Sequence, residues 1–202
     1  GSCSGNAFAF SMNMLVANLG STALKFRLFT FDGAGTATMR AKGGYERVTD
    51  YGKAIDDCLA ELKSAGHVRS AADLHGVGFK TVLGKNLTVC VRADEKAIAA
   101  LEGFKEIAPA HNPPYALGIQ RFQEKLPGCP LVALFETAFY QWVSDAGSRY
   151  AVPPAWHDAG VRRYGFHGAS HKFVAERSAE LLGRKDIAER VRQLYQSGPT
   201  PV

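Results

Sequence analysis

The run Arg162-Arg163-Tyr164-Gly165-Phe166-His167-Gly168-Ala169-Ser170-His171 places two arginines, two histidines, two glycines and a serine within ten positions. Guanidinium forks and imidazoles hold phosphoryl oxygens, and glycine lets backbone N–H groups approach them. A purely structural turn needs no such convergence of donors. A second polar segment, Asn18-Leu19-Gly20-Ser21-Thr22-Ala23-Leu24-Lys25, lies near the start. Its backbone N–H groups, the Ser21 and Thr22 hydroxyls and the Lys25 ammonium form a set in which a phosphate can lie. A plain hairpin with a polar tip explains the same letters. The glycine and lysine spacing is not that of a P-loop, and no helix is expected to follow. Together the two stretches point to chemistry on a phosphate and a small anion.

Three further places carry candidate groups. His111-Asn112-Pro113-Pro114 puts an imidazole and an amide on a segment stiffened by two prolines, and a surface-loop histidine is the plain alternative. Glu136 follows the apolar run at 131–135; it reads as a general base, a carboxylate beside a metal, or the first residue of a helix. His167 and His171 stand four apart, the spacing of metal ligands on one helix face. Gly165 and Gly168 argue against a continuous helix there, and no third ligand stands out. Ser170 sits in no G-x-S-x-G and has no identifiable orienting acid, which argues against a serine hydrolase.

These groups must be positioned by the elements between them. Residues 14–17 and the alternating Leu24, Phe26 and Leu28 predict two strands around the Asn18 turn. A third strand is expected at 36–40, after the turn Asp32-Gly33-Ala34-Gly35. Ala54, Ile55, Cys58, Leu59 and Leu62 have helical spacing, with Gly66 as the stop. Residues 77–83 and 87–91 read as strands, and Asp94 as the cap of a short helix through Ala97, Ile98 and Leu101. The segment 107–114 reads as a loop, 117–122 as part of a helix, 131–135 as a buried strand and Pro153-Pro154 as a loop. Ser170 is expected to cap a helix holding Phe173, Val174, Leu181 and Leu182, and Ile187, Val191, Leu194 and Tyr195 continue helically. Three strands followed by alternating helices and strands predict an α/β fold, a mixed sheet flanked by helices. Ligands in such sheets bind at the carboxyl ends of the strands.

The net charge of +5 comes from scattered lysines and arginines, which reads as a solvated surface with one anion pocket rather than a nucleic-acid face. Cys3, Cys58, Cys90 and Cys129 are isolated, as expected of buried free thiols in a reducing cytosol. No apolar run is long enough to cross a bilayer, and the start lacks the layout of a secretory signal. A cytoplasmic protein is expected, with neither a membrane nor a nucleic acid as partner. Residues 1–11 are expected to be a tag or disordered leader, 12–196 one domain and 197–202 a linker or tail.

The motifs in order resemble the acetate and propionate kinase family, within the superfamily that also holds hexokinase, actin and heat-shock chaperones. Asn18-x-Gly20-Ser21-Thr22-x-x-Lys25-Phe26 resembles the family's first phosphate loop. Ala108-Pro109-Ala110-His111-Asn112-Pro113-Pro114 resembles its APLHNP segment, and Phe135-Glu136-Thr137-Ala138-Phe139 its FDTAF segment. The run from Arg162 to His171 resembles its RRYGFHGTSH segment almost letter for letter. The resemblance implies a ribonuclease-H-like domain with a mixed five-stranded sheet. It implies phosphoryl transfer between ATP and a short-chain carboxylate, through an acyl phosphate and with magnesium.

Carried over, Asn18 stands near the phosphates and the magnesium water shell, with Ser21 and Lys25 in the same loop. His111 and His167 bind the transferring phosphoryl oxygens, with His171 in the same segment. Glu136 stands where the family has a catalytic aspartate, and Lys80 where it has an arginine. Lysine keeps that charge but loses the bidentate fork. Ala23 replaces the last hydroxyl of the first loop, and Val82, Leu83, Leu117 and Phe139 are candidate walls for the carboxylate. The resemblance also implies an N-terminal domain without its nucleotide-binding partner, inactive by itself, and a homodimer for the full-length protein. A non-catalytic small-anion binding or regulatory module is the alternative that Lys80, Ala23 and Glu136 motivate.

Overall fold

A computed structural model describes residues 11–84, 87 and 90–196. Cys3, most of the expected leader and the tail at 197–202 lie outside the described residues. The described chain opens with a meander: β1 (Met12–Leu19), β2 (Ala23–Phe31) and β3 (Ala37–Glu46), each antiparallel to the next. Alternation drives it. Leu15, Ala17 and Leu19 on β1 and Leu24, Phe26 and Leu28 on β2 are buried, and the residues between them point the other way. α1 (Tyr51–Ser64) follows, its start fixed by the Asp50 carboxylate, which accepts from the Lys53 N–H.

β4 (Gly76–Thr81) then runs parallel to β1, and β6 (Leu131–Phe135) parallel to β4. Between them come β5 (Cys90–Arg92), α2 (Glu95–Glu102), capped by Asp94, and α3 (Asn112–Lys125). The sheet order is β3-β2-β1-β4-β6-β5, a ribonuclease-H-like arrangement of six strands rather than five. The additional strand is β5, three residues returning antiparallel at the edge beside β6. It covers Cys90–Arg92 where 87–91 was expected: among the described residues these are the ones that pair with β6, and Leu87 instead bridges back to Gly84.

One face of the sheet is packed against α1, α2 and α3. Leu15, Phe79, Ile55, Ile119, Phe122 and Phe135 are essentially inaccessible there. Phe79 and Phe122 meet edge to face with centroids 5.2 Å apart. Burying each such ring stabilises by about 1.5–3 kcal/mol relative to exposure. The opposite face carries Met14, Val16, Asn18, Lys25, Arg27 and Lys80, each half-buried or exposed.

Beyond β6 a 3-10 turn (Glu136–Tyr140) leads to α4 (Asp145–Ser148), α5 (Pro154–Asp158) and the paired helices α6 (Gly168–Leu181) and α7 (Lys185–Gln196). Pro154 thus starts a short helix where a loop was expected. α6 begins at Gly168, two residues before the expected cap Ser170, and the large apolar residues expected on it are exposed: Phe173, Val174 and Leu181, with Leu182 just after it, of which Leu181 and Leu182 are 72% and 79% exposed. Ion pairs of Arg192 with Glu176 and Glu180 hold α7 to α6 instead. Cys58 is buried, as expected of a thiol on an apolar stripe, but Cys90 is exposed because it leaves β5 toward the unpacked side. Among the described residues, no helix is long and apolar enough to cross a membrane.

Candidate functional site

Three parallel strands, β1, β4 and β6, end at one edge of the sheet, and each carries a candidate there. Asn18 is the penultimate residue of β1, Lys80 the penultimate residue of β4, and Glu136 the first after β6. Ala17 pairs with Phe79 and Lys80 with Leu134, so Asn18 and Lys80 leave neighbouring strands toward the same face. Both line one cleft of about 540 Å³, together with Lys25.

Glu136 is 4% exposed. A carboxylate so deeply buried needs a partner, and Lys80 supplies it, with Nζ 2.7 Å from Oε1. The Lys80 side chain is still 42% exposed, so its ammonium faces the cleft while it compensates the acid. His167 Nδ1 stands 3.8 Å from the same Oε1. One carboxylate oxygen therefore gathers an ammonium and an imidazole at the sheet edge.

The placement of His167 depends on close backbone approach. Gly168 lies against the 136–140 turn so tightly that a β-carbon would sit 2.0 Å from the Glu136 carbonyl oxygen. A β-carbon on Gly165, at φ +74°, would meet the Tyr140 ring at 2.5 Å. Between these two glycines, His167 takes a left-handed backbone, φ +57° and ψ +28°, and precedes the first residue of α6. Such a conformation is disfavoured for a side chain of this size and persists where its surroundings impose it. The Tyr140 hydroxyl donates to the Phe166 carbonyl at 3.1 Å, and its ring meets the His171 imidazole edge-on at 5.9 Å.

Asn18 is held from behind. The Tyr115 hydroxyl donates to its Oδ1 at 2.6 Å. Tyr115 is 1% exposed, and burial pushes its pKa well above the usual phenol range, so the proton stays in place at neutral pH. Asn112, fully buried at the first position of α3, donates from Nδ2 to the carbonyls of Leu83 (2.8 Å) and Leu101 (3.0 Å). It clamps the segment after β4 and the end of α2 to the start of α3. Among the described residues its Oδ1, like Thr81 Oγ1 and Thr137 Oγ1, is buried without a partner.

The remaining candidates are scattered more widely. His111 is exposed at the N-terminal boundary of α3, not in a free loop, because Pro113 and Pro114 suit the first helical turn. Among the described residues its imidazole makes no hydrogen bond. Ser21 is exposed at the tip of the β1–β2 turn, whose backbone Tyr51 holds through the Gly20 carbonyl. Lys25 pairs with Glu46 at 3.2 Å, both largely in solvent. Of the candidate carboxylate walls, Leu83 is in the core, and Leu117 faces a different groove with Glu102 and Gln120. The structure thus joins Lys80, Glu136 and His167 directly, sets Asn18 and Lys25 in the adjoining cleft, and does not bring His111 or Ser21 into contact with them. Tyr115, Tyr140, Arg27 and Lys42 were not singled out from the sequence. Tyr115 had a signal there, since it shares a helical face with Ile119 and Phe122.

A six-stranded mixed sheet with helices on one face, and its polar groups at the ends of parallel strands, defines a ribonuclease-H-like α/β domain. The chain belongs to the acetokinase family, whose model matches residues 13–192. It is 36% identical over 198 residues to an acetate kinase of Bacillus mycoides, covering 86% of this chain and 49% of that relative. Among solved structures, an acetate kinase of Porphyromonas gingivalis superposes with a TM-score of 0.74 at 30% identity, over 85% of this chain and 49% of the other. A propionate kinase of Francisella tularensis gives 0.68 at 26% identity, over 86% and 50%. The chain spans about half the length of the relatives it matches.

Proposed function

We propose that the chain forms the phosphoryl-binding wall of a short-chain carboxylate kinase, which transfers a phosphoryl group between ATP and a carboxylate such as acetate or propionate. The observation that carries this reading is the meeting of Lys80 and His167 on Glu136, beside Asn18, at the ends of three parallel strands. Phosphoryl transfer asks mainly for positioning and for neutralising charge on equatorial oxygens. The Lys80 ammonium and the His167 imidazole are donors for those oxygens. Glu136 orients both and keeps Lys80 extended toward the cleft. Asn18, fixed by Tyr115, holds one side of the phosphoryl group. His111, His171, Ser21 and Lys25 are the outer phosphate-binding residues in this reading.

A magnesium ion fits this site as a companion of the phosphates rather than as a resident. Among the described residues, no group of three His, Cys, Asp or Glu is placed to hold a metal. Magnesium keeps several waters and takes one or two carboxylates plus substrate phosphates. Asn18 and Glu136 are the residues that would face its water shell, where it would neutralise phosphoryl charge. The nucleotide wall belongs, in this reading, to the half of the relatives' length that this chain does not span. We take the whole protein to be a cytoplasmic enzyme and a homodimer.

This chain alone is expected to bind orthophosphate without turning over acetyl phosphate. Titration calorimetry with orthophosphate and a coupled acetyl-phosphate assay test it; failure to bind orthophosphate overturns the reading of the site, and robust turnover the expected incompetence. The 2.7 Å Lys80–Glu136 pair favours a second reading, a small-anion binding module in which Glu136 is neutralised and performs no chemistry. Loss of acetate kinase activity in the full-length protein on Glu136→Gln would exclude it.

A further inference from the structure

Two cations of the cleft have no part in the site described above. Arg27 on β2 and Lys42 on β3 stand directly opposite each other in the antiparallel register, so both side chains leave the unpacked face of the sheet. They line the same cleft as Asn18, Lys25 and Lys80. Lys25 has Glu46 and Lys80 has Glu136, but among the described residues neither Arg27 nor Lys42 makes an ion pair or hydrogen bond. Like charges directly opposite across two strands repel. Their neighbours in the same row, Val16 and Gly78, offer no carboxylate to relieve them.

The registers set the floor of the cleft as two adjacent rows. One runs Lys42, Arg27, Val16, Gly78; the other runs Gly44, Lys25, Asn18, with Lys80 next. Strands lie about 4.8 Å apart and the two rows about 7 Å apart, within reach of flexible lysine and arginine stems. A single phosphate held by Asn18 and Lys80 leaves Arg27 and Lys42 unmatched. A chain of linked phosphoryl groups running across the rows meets all of these cations.

We propose that Arg27 and Lys42 form a second anion subsite, and that the cleft takes a polyphosphate chain rather than a lone phosphate. The proposal rests on the phosphoryl role assigned above to Asn18 and Lys80, and extends it across β2 and β3. Guanidinium and ammonium donors to phosphoryl oxygens make charge-assisted hydrogen bonds, so each added phosphoryl group strengthens binding.

The test is titration calorimetry of this chain with orthophosphate, inorganic tripolyphosphate and ATP, without added metal. The wild type is expected to bind tripolyphosphate at least tenfold more tightly than orthophosphate. The double variant Arg27→Gln/Lys42→Gln is expected to cut that advantage to about twofold and leave orthophosphate binding unchanged. A control, Lys63→Gln/Lys105→Gln, removes the same charge from the helix layer and is expected to change neither affinity. ATP binding as tightly as tripolyphosphate marks a nucleotide tail as the occupant; ATP binding at least tenfold more weakly marks a free polyphosphate. The subsite is overturned if the advantage survives the double variant, or if the control lowers it equally. The phosphoryl-site reading fails separately, if Lys80→Met leaves orthophosphate binding intact. Melting of the double variant no lower than wild type excludes unfolding as the cause, since the substitution relieves a repulsion.

Discussion

The two faces of the sheet obey different rules. Beneath α1 and α3, Leu15, Phe79, Phe122 and Phe135 are buried in an apolar core. On the other side the same strands present Asn18, Lys25, Arg27, Lys42 and Lys80, with Val16 and Met14 among them. One strand thus serves both faces: in β4, Phe79 points into the core while the next residue, Lys80, reaches the cleft. Period-two alternation lets stability and chemistry be varied separately in one stretch of chain. They meet at Glu136, which is buried like the core yet paired with a cleft cation.

The contrast can be broken most severely from the packed side. Phe122→Ala is expected to cost about 3–5 kcal/mol in a denaturant titration, whereas Val16→Ala, on the open side of the same sheet, should stay within about 1 kcal/mol. Equal costs for the two would mean that something covers the open face. Asn112→Ala removes both donors from the Leu83 and Leu101 carbonyls and is expected to cost about 2–3 kcal/mol. Where the faces meet, Lys80→Met leaves Glu136 uncompensated. A loss of about 1–3 kcal/mol is expected, with part of it restored by adding Glu136→Gln in a double-mutant cycle. Strict additivity there would show that the pair does not interact.

The smallest expected effect lies outside the sheet. Burial raises the Glu176 pKa, but hydrogen bonds from Lys172 and Arg192 outweigh it and hold the carboxylate below its usual range. Because the folded pKa is depressed, this contribution is complete above the unfolded value of about 4.3 and is lost as pH falls through the folded one. Far-UV circular dichroism should show the helices loosening below about pH 4, with a flatter profile for Glu176→Gln. An unchanged profile in that variant would assign the acid sensitivity to another group.

Much of this was legible in the letters. The alternation of Leu24, Phe26 and Leu28 gives β2 its buried side, and Asp94 marks a helix start because a carboxylate there satisfies open N–H groups. The ordered motifs indicate the family, and through that resemblance Lys80, Glu136 and His167 are legible as site residues. What stayed hidden depends on tertiary contact. His167 precedes α6 in a left-handed conformation only because Gly165 and Gly168 are pressed on the 136–140 turn, and local sequence pointed to Ser170 instead. β5 exists because three residues find the edge of β6, which no propensity over 87–91 specifies. The apolar letters of α6 have helical spacing, but spacing does not say whether a partner covers them. Tyr115 reads as a core aromatic; its hydroxyl matters through Asn18, 97 positions away.

Helix α3 clamps the end of α2 through Asn112 and reaches the cleft through Tyr115, which holds the Asn18 amide. On the phosphoryl role proposed for Asn18, anion affinity is coupled to the rigidity of a helix that packs against the opposite face of the sheet. On heating, anion binding should fade while the sheet is still intact, as soon as this helix begins to breathe.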